Sequence, residues 1–323
     1  MSILQVEGLH VWFDLSGGHE LHAVQGVSFA VDEGERFGLV GESGSGKTTT
    51  ILAVMGLLPA SASVSGRVLL DGVDLLARGE WSVSPHRWVD VAMVFQGAMN
   101  AFNPVKRIGD QIVEPMVLHE IAEGRAARRR AAELLERVGI PGERVNRYPH
   151  EFSGGMRQRA AIAMALACTP KVLLADEPTT ALDVMVQAQI LELLVALADD
   201  FGLALVLVTH DLPIVAQVCD RAAVMYAGEV VETGPVEALY HDPRHPYTRL
   251  LFAATPDLYG SDEVVSIPGT PPRLDRPIIG CPFRPRCDSA FGPCESIRPV
   301  LTGVGSGHSA ACHLNTFVRE ASA

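Results

Sequence analysis

Gly41-Glu42-Ser43-Gly44-Ser45-Gly46-Lys47-Thr48 is the stretch from which the rest of the chain is read. It fits the pattern G-x4-G-K-S/T in full. Its flanks fit as well: the apolar run Phe37–Val40 enters as a strand, and Thr49–Leu58 leaves as a helix that Pro59 stops. Glycines let the main chain wrap with its N–H groups pointing inward, and the N-terminus of the following helix adds positive potential. Lys47 is expected on the β- and γ-phosphates of a nucleotide, and the Thr48 hydroxyl on Mg²⁺. A flexible Gly/Ser turn can match by chance, but rarely with strand and helix both in place.

Further along, Val172-Leu173-Leu174-Ala175-Asp176-Glu177 is an apolar strand that ends in two acids. In a nucleotide-binding sheet the carboxyl ends of the strands face the ligand crevice. Asp176 can hold Mg²⁺ through water there, and Glu177 can polarise an attacking water. Alone, such a pair is usually a solvated turn; beside the phosphate loop it is the metal-and-base pair of an NTPase. His210 follows the strand Leu203–Val208 and is expected at the same sheet edge as Glu177. Gln96 ends the apolar strand Val91–Phe95, from which it can reach Mg²⁺ or the attacking water; by itself a Gln there proves nothing.

The pattern around these motifs is α/β. Ile3–Val6, Val11–Phe13, Val27–Val31 and Phe37–Val40 read as strands, broken by Gly17-Gly18 and Asp32-Glu33-Gly34. Gly66–Leu75 reads as a hairpin about Asp71-Gly72. Ala132, Leu134, Leu135 and Val138 lie at near-helical spacing. Strand, helix and strand then alternate at Val172–Ala175, Val186–Asp199 and Leu203–Val208, which argues for a parallel sheet with helices on its faces. From about residue 235 Pro and Gly become frequent and periodicity fades, as in a C-terminal appendage.

The 323 residues predict two or three domains and a full core without disulfides. Apolar residues at 48% and charged residues at 20% exclude a disordered chain. With 26 Lys and Arg against 38 Asp and Glu, the net charge of −12 argues against nucleic-acid binding. The basic run Arg128-Arg129-Arg130 reads as a solvated helix face. No apolar run approaches the roughly 18 residues of a membrane span, and Met1–Val6 lacks the form of a signal peptide. A cytosolic protein is expected.

Cys168 and Cys219 stand alone among apolar residues and are expected in the core. Cys281, Cys287, Cys294 and Cys312 follow the spacing C-x5-C-x6-C-x17-C. Disulfides do not suit the cytosol. Structural zinc favours C-x2–4-C knuckles, which this spacing lacks, although His308 or His313 could replace one ligand. A 4Fe-4S cluster tolerates looser spacing.

Ser153-Gly154-Gly155-Met156-Arg157-Gln158-Arg159, placed between the phosphate loop and Asp176-Glu177, resembles the signature motif of ABC ATPases. Thr180-Ala181-Leu182-Asp183 resembles their D-loop, Gln96 their Q-loop and His210 their switch histidine. The finer resemblance is to the D-type ATP-binding subunits of oligopeptide/dipeptide importers. It rests on Tyr148–Arg159, on Ala175–Asp183 and on His245-Pro246-Tyr247-Thr248, and it covers nearly the whole chain. It implies a P-loop ABC ATPase cassette over residues 1–235, with a RecA-like core, an antiparallel β subdomain and an α-helical subdomain at about 97–165. Residues 236–323 would form a small C-terminal Cys-containing extension, in which the resemblance favours a 4Fe-4S cluster on Cys281, Cys287, Cys294 and Cys312, with zinc second.

The resemblance further implies two cassettes joined head to tail around two ATP molecules. Gly41, Ser43, Gly44, Ser45, Gly46, Lys47, Thr48 and Thr49 would bind one ATP, with Phe13 stacked on adenine beside the neighbouring Trp12. Thr48, Gln96 and Asp176 would hold Mg²⁺, and Glu177, His210 and Gln96 would act in hydrolysis. Ser153, Gly154 and Gly155 would meet the partner cassette's γ-phosphate, and Asp183 would cross the interface. Phe152 and Met156 replace the motif's usual Leu and Gln, and Met156 removes a polar group near that second nucleotide. Implied partners are a second cassette (an F-type paralogue or another copy), two transmembrane permease subunits and an extracytoplasmic solute-binding protein. The implied site of action is the cytoplasmic face of the cell membrane. Peptides are the expected cargo, with nickel, glutathione or another solute as alternatives. A soluble ABC ATPase of DNA repair or translation usually carries paired cassettes or a long coiled-coil insertion, and the interval from Lys47 to Ser153 has room only for a small helical subdomain. Intact Lys47, Asp176, Glu177 and His210 argue against a noncatalytic nucleotide binder. The cysteines lie far in sequence from Lys47, so a role apart from hydrolysis is expected for them.

Overall fold

In the computed structural model, residues 1–254 and 266–315 are described. The short runs near the N-terminus merge into two long strands, β1 (Ser2–Leu15) and β2 (His19–Asp32), turned at Gly17-Gly18. They stay continuous because bulges between Val6 and Leu9 and between Val11 and Trp12 keep Leu4, Val6, Leu9 and Val11 facing the core. After β3 (Arg36–Val40) come β4 (Ala62–Leu70) and β5 (Val73–Asp74). Both residues between β4 and β5, Asp71 and Gly72, have positive φ (50° and 79°), as a tight hairpin turn requires. These strands form an antiparallel sheet in the order β2-β1-β4-β5.

The remaining strands are β6 (Val91–Val94), β7 (Val172–Asp176), β8 (Ala204–Thr209), β9 (Arg221–Tyr226), β10 (Glu229–Pro235), β11 (Thr302–Gly305) and β12 (His308–Ala310). With β3 they build a second sheet in the order β11-β12-β10-β9-β3-β8-β7-β6, parallel from β9 to β6. Its parallel strands are apolar at nearly every position because both faces are covered. Leu173, Ala175, Leu205 and Leu207 face one core; Val172, Leu174, Val206 and Val208 face a second core shared with the antiparallel sheet. The helices Ile108–Leu118, Gly124–Arg137 and Gly154–Ala165 pack into the first core through Ile112, Met116, Ala131, Leu135 and Ile162. The helix after the phosphate loop is shorter than expected. It spans Lys47–Val54 and stops before Gly56, whose φ of 61° ends it ahead of Pro59.

The position 235/236 falls between β10 and the short helix Val236–His241. The chain beyond that position packs closely on the chain before it. The β11–β12 hairpin adds to the edge of the large sheet through β10, and Tyr247, Leu251 and Phe283 belong to the first core. At the junction Glu232 is fully buried. Its carboxylate accepts the N–H groups of Arg244 and His245 and pairs with His308 at 2.7 Å. Cys168 and Cys219 are buried as expected. Among the described residues no helix is long and apolar enough to cross a membrane.

Candidate functional site

β3 delivers the chain to Gly41 at the carboxyl edge of the parallel sheet. A side chain at Gly41 would come within 2.1 Å of the Met225 carbonyl, and one at Gly46 within 2.6 Å of the Ala23 carbonyl, so the loop closes only with glycine there. Lys47 is 5% exposed, and its Nζ donates to the carbonyls of Gly41 (2.8 Å) and Glu42 (3.0 Å). Burial lowers its pKa, opposed by the carboxylates of Glu177, Asp176 and Glu42. Ser45 Oγ is buried in the loop and takes no hydrogen bond among the described residues. Next in sequence, the Thr48 hydroxyl donates to Asp176 Oδ1 at 3.1 Å. Burial pushes the Asp176 carboxyl up to about 6, against the pull of Thr48 and with a further push from Glu177. A hydroxyl beside a buried carboxylate, next to the Gly41–Lys47 loop, is a donor set that fits Mg²⁺ on a polyphosphate.

Glu177 gathers the other expected residues. Parallel pairing brings the ends of β6, β7 and β8 to one edge. There Gln96 Nε2 and Thr180 Oγ1 each donate to Glu177 Oε2 at 2.9 Å, and His210 Nδ1 lies 3.0 Å from Oε1. Burial raises the Glu177 pKa, but the hydrogen bonds from His210 and Thr180 and the charges of His210 and Lys47 outweigh it. The carboxylate is therefore held below its usual range. Thr180 was not expected as a partner of Glu177. Its sequence signal is a hydroxyl three residues after the acid, within reach across one turn.

Ser153 caps the helix Gly154–Ala165, its Oγ accepting the Met156 N–H, and Asp183 caps the helix Val184–Phe201 in the same way. The two helix starts touch: a side chain on Gly155 would meet Val186 at 2.9 Å. Ser153, Gly154, Gly155 and Asp183 thus form a second group. Among the described residues no hydrogen bond or ion pair joins Ser153, Gly154 or Gly155 to Lys47 or Glu177. Val184 and Met185, beside Asp183, are 79% and 73% exposed. Phe152 is core, while Met156 is half-buried against it. Phe13 is half-buried against the second core, in register with Leu21 and Ala62; Trp12 stacks instead on His22 at 4.6 Å.

Residues beyond position 235 also reach this site. A cleft of ≈ 660 Å³ is lined by Glu42, Ser43, Gln96, Glu177 and His210, and beside them by Leu251, Ile267 and Pro271. Arg286 pairs with the Glu42 carboxylate through both terminal nitrogens, at 2.6 and 2.9 Å, and the Glu42 N–H donates to the Tyr247 hydroxyl at 2.8 Å. No sequence signal pointed to this junction, because its partners stand over 200 positions apart.

Cys281, Cys287, Cys294 and Cys312 line one small cavity with His245, Pro246, Phe283 and His313. Burial raises the thiols of Cys281, Cys287 and Cys312, the last to about 11. Main-chain N–H groups of Phe283 and Arg284 face the Cys281 sulfur, that of Ser289 faces Cys287, and that of Leu314 faces Cys312. Four soft donors around one apolar cavity, with N–H groups aimed at three of them, suit a cluster held by thiolates. Among the described residues, however, no three His, Cys, Asp or Glu side chains are gathered closely enough to hold a single metal ion. His308 is not among the residues lining that cavity; its Nε2 lies 2.7 Å from Glu232 Oε1.

Residues 24–180 match the ABC transporter family, and residues 231–294 match the C-terminal region of oligopeptide/dipeptide transporters. The chain is 46% identical to the dipeptide transport ATP-binding protein DppD of Bacillus subtilis, covering 97% of this chain and 94% of that protein. It is 49% identical to the oligopeptide transport ATP-binding protein OppD of the same organism, covering 95% and 87%. Among solved structures, the ATP-binding cassette MJ0796, a dimer in a post-hydrolysis state with ADP and Pi, matches with a TM-score of 0.64 at 28% identity. That match covers 72% of this chain and 98% of MJ0796.

Proposed function

The chain belongs to the D-type ATP-binding subunits of ABC oligopeptide/dipeptide transporters, and on that premise we propose that it hydrolyses ATP to power peptide import. The observation that carries the reading is the convergence of Gln96, Thr180 and His210 on Glu177, beside the Thr48–Asp176 pair and the phosphate loop.

In this reading Gly41, Ser43, Gly44, Ser45, Gly46 and Thr49 wrap the phosphates, and Lys47 exchanges two loop carbonyls for phosphate oxygens. Phe13 covers the adenine. Thr48, Asp176 and Gln96 would hold Mg²⁺, which would supply positive charge to offset that of the phosphates. Glu177, kept ionised by its donors, takes a proton from the attacking water, and His210 orients Glu177. Ser153, Gly154 and Gly155 serve the nucleotide of a partner cassette, adding the N-terminus of their helix to its γ-phosphate. Asp183 sits in the same interface, and the exposed Val184 and Met185 beside it support a contact surface there. ATP closes the pair and hydrolysis releases it, so the cycle is coupled to the membrane subunits.

The same reading divides the chain into a cassette (1–235) and an extension (236–323); residues 255–265 and 316–323 of the extension lie outside the described residues. It places the subunit on the cytoplasmic face of the cell membrane, with two permease subunits, an extracytoplasmic solute-binding protein and a second cassette. Cys281, Cys287, Cys294 and Cys312 would hold the 4Fe-4S cluster, which would supply cross-links to a segment poor in apolar residues. Its support is the shared cavity and the N–H groups aimed at the sulfurs. The test of function is ATPase activity of the assembled transporter in lipid. Stimulation by peptide-loaded binding protein is expected; stimulation by nickel or glutathione and none by peptides would overturn the cargo.

A further inference from the structure

The phosphate loop is held from outside by two side chains of the extension. The Arg286 side chain is 3% exposed and is fixed on several sides. Its two terminal nitrogens take the two oxygens of Glu42, its Nε donates to the Pro268 carbonyl at 2.7 Å, and its guanidinium lies over the rings of Tyr226 and Phe283. Such a fork gives direction as well as charge. Tyr247, itself fully buried, accepts the Glu42 N–H. Glu42 is the first residue after Gly41, and its carbonyl is one of the two that hold Lys47 Nζ. The side chain and the N–H of this one residue are therefore assigned to Arg286 and Tyr247, and its C=O is shared by Lys47 and the Ser45 N–H.

We propose that Arg286 and Tyr247 are positioning residues for ATP, holding the Glu42 peptide so that the loop and Lys47 present themselves correctly to the phosphates. Neither touches the nucleotide; both act through Glu42. Arg286 ends the turn Arg284–Arg286, which lies between Cys281 and Cys287 and is tied to both by the bonds from Arg284 N to Cys281 O and from Cys287 N to Arg284 O. The cysteine turn, expected to stand apart from hydrolysis, is thus one side chain away from the phosphate loop.

The inference rests on reading Gly41–Thr48 as an ATP loop, so the experiment includes Lys47→Ala as a control. Equilibrium binding of ATP is measured on the full chain, with thermal unfolding of the nucleotide-free protein alongside. Glu42→Gln and Arg286→Lys keep size, and Tyr247→Phe removes one hydroxyl, so at least one should fold. Each is expected to raise the Kd for ATP about ten-fold with its binding stoichiometry kept. The Glu42→Gln/Arg286→Lys double variant should be no worse than the weaker single one, because the pair acts as a unit. A structural role alone would lower the unfolding midpoint and the number of sites but leave Kd where it was. Kd within two-fold of the parent in the folded variants, or additive losses in the double variant, overturns the proposal. If the parent chain binds no ATP, or Lys47→Ala changes nothing, the ATP-site reading fails first and this inference falls with it.

Discussion

Replacing Glu177 by Gln separates chemistry from architecture at this site. The amide keeps the shape and one carbonyl oxygen. With that oxygen at the Oε2 position, Gln96 and Thr180 keep their acceptor. The amide nitrogen then faces His210 Nδ1, which can accept a hydrogen bond in its other tautomer. All three contacts survive, so the unfolding midpoint should hardly move. What disappears is the carboxylate, kept ionised in the parent by those same donors. Loss of a positioned base costs about 10²–10⁴-fold in rate, or roughly 3–5.5 kcal/mol of barrier at about 1.4 kcal/mol per decade. ATP binding should persist, because Gly41–Thr48 is untouched. The assay is steady-state ATPase of the assembled transporter, with the second cassette's own base also replaced so that only this site reports, alongside ATP retention by the closed complex. A rate above about a tenth of the parent's, with stability and binding intact, would refute Glu177 as the base.

The isolated chain should be a poor ATPase, since among the described residues no hydrogen bond or ion pair joins Ser153–Gly155 to Lys47; equal activity per site alone and in the assembled transporter would reopen the soluble-ATPase reading. His245 gives a pH signature. Complete burial holds its pKa down to about 3, so the fold requires the neutral ring. That contribution is complete above the ordinary histidine value of about 6.5 and is lost as pH falls below it, by roughly 1 kcal/mol between pH 7.5 and 5.5. Asp176 titrates in the same window with the opposite sign, so the comparison is between proteins: in urea unfolding at the two pH values the parent should lose more stability than His245→Asn by about that amount, the Asn oxygen still accepting the Tyr247 N–H that His245 Nδ1 takes; equal changes in the two proteins would acquit His245. Anaerobically purified protein should be brown, with iron and acid-labile sulfide near about four each per chain. Colourless protein with one zinc per chain would replace the cluster by zinc.

Local pattern determined much of this protein without any tertiary information. Gly41–Thr48 carries its own geometry in its glycines, and the apolar strand before Asp176-Glu177 places two acids at a sheet edge, because both depend on neighbours within a few residues. Strand limits at Arg36–Val40, Val172–Asp176 and Ala204–Thr209 agree with the expected runs to within a residue or so, since strands buried on both faces show as unbroken apolar runs. Other features had no local signal. The helix stop at Gly56 rather than Pro59 depended on a left-handed backbone angle, and the merging of the N-terminal runs depended on bulges that restore register. The junction of Arg286 and Tyr247 with Glu42 joins residues more than 200 positions apart. No periodicity encodes such a contact. Only the packing of Tyr247 and Phe283 into the core of the cassette brings those groups to the phosphate loop, and burial then makes their pairing obligatory.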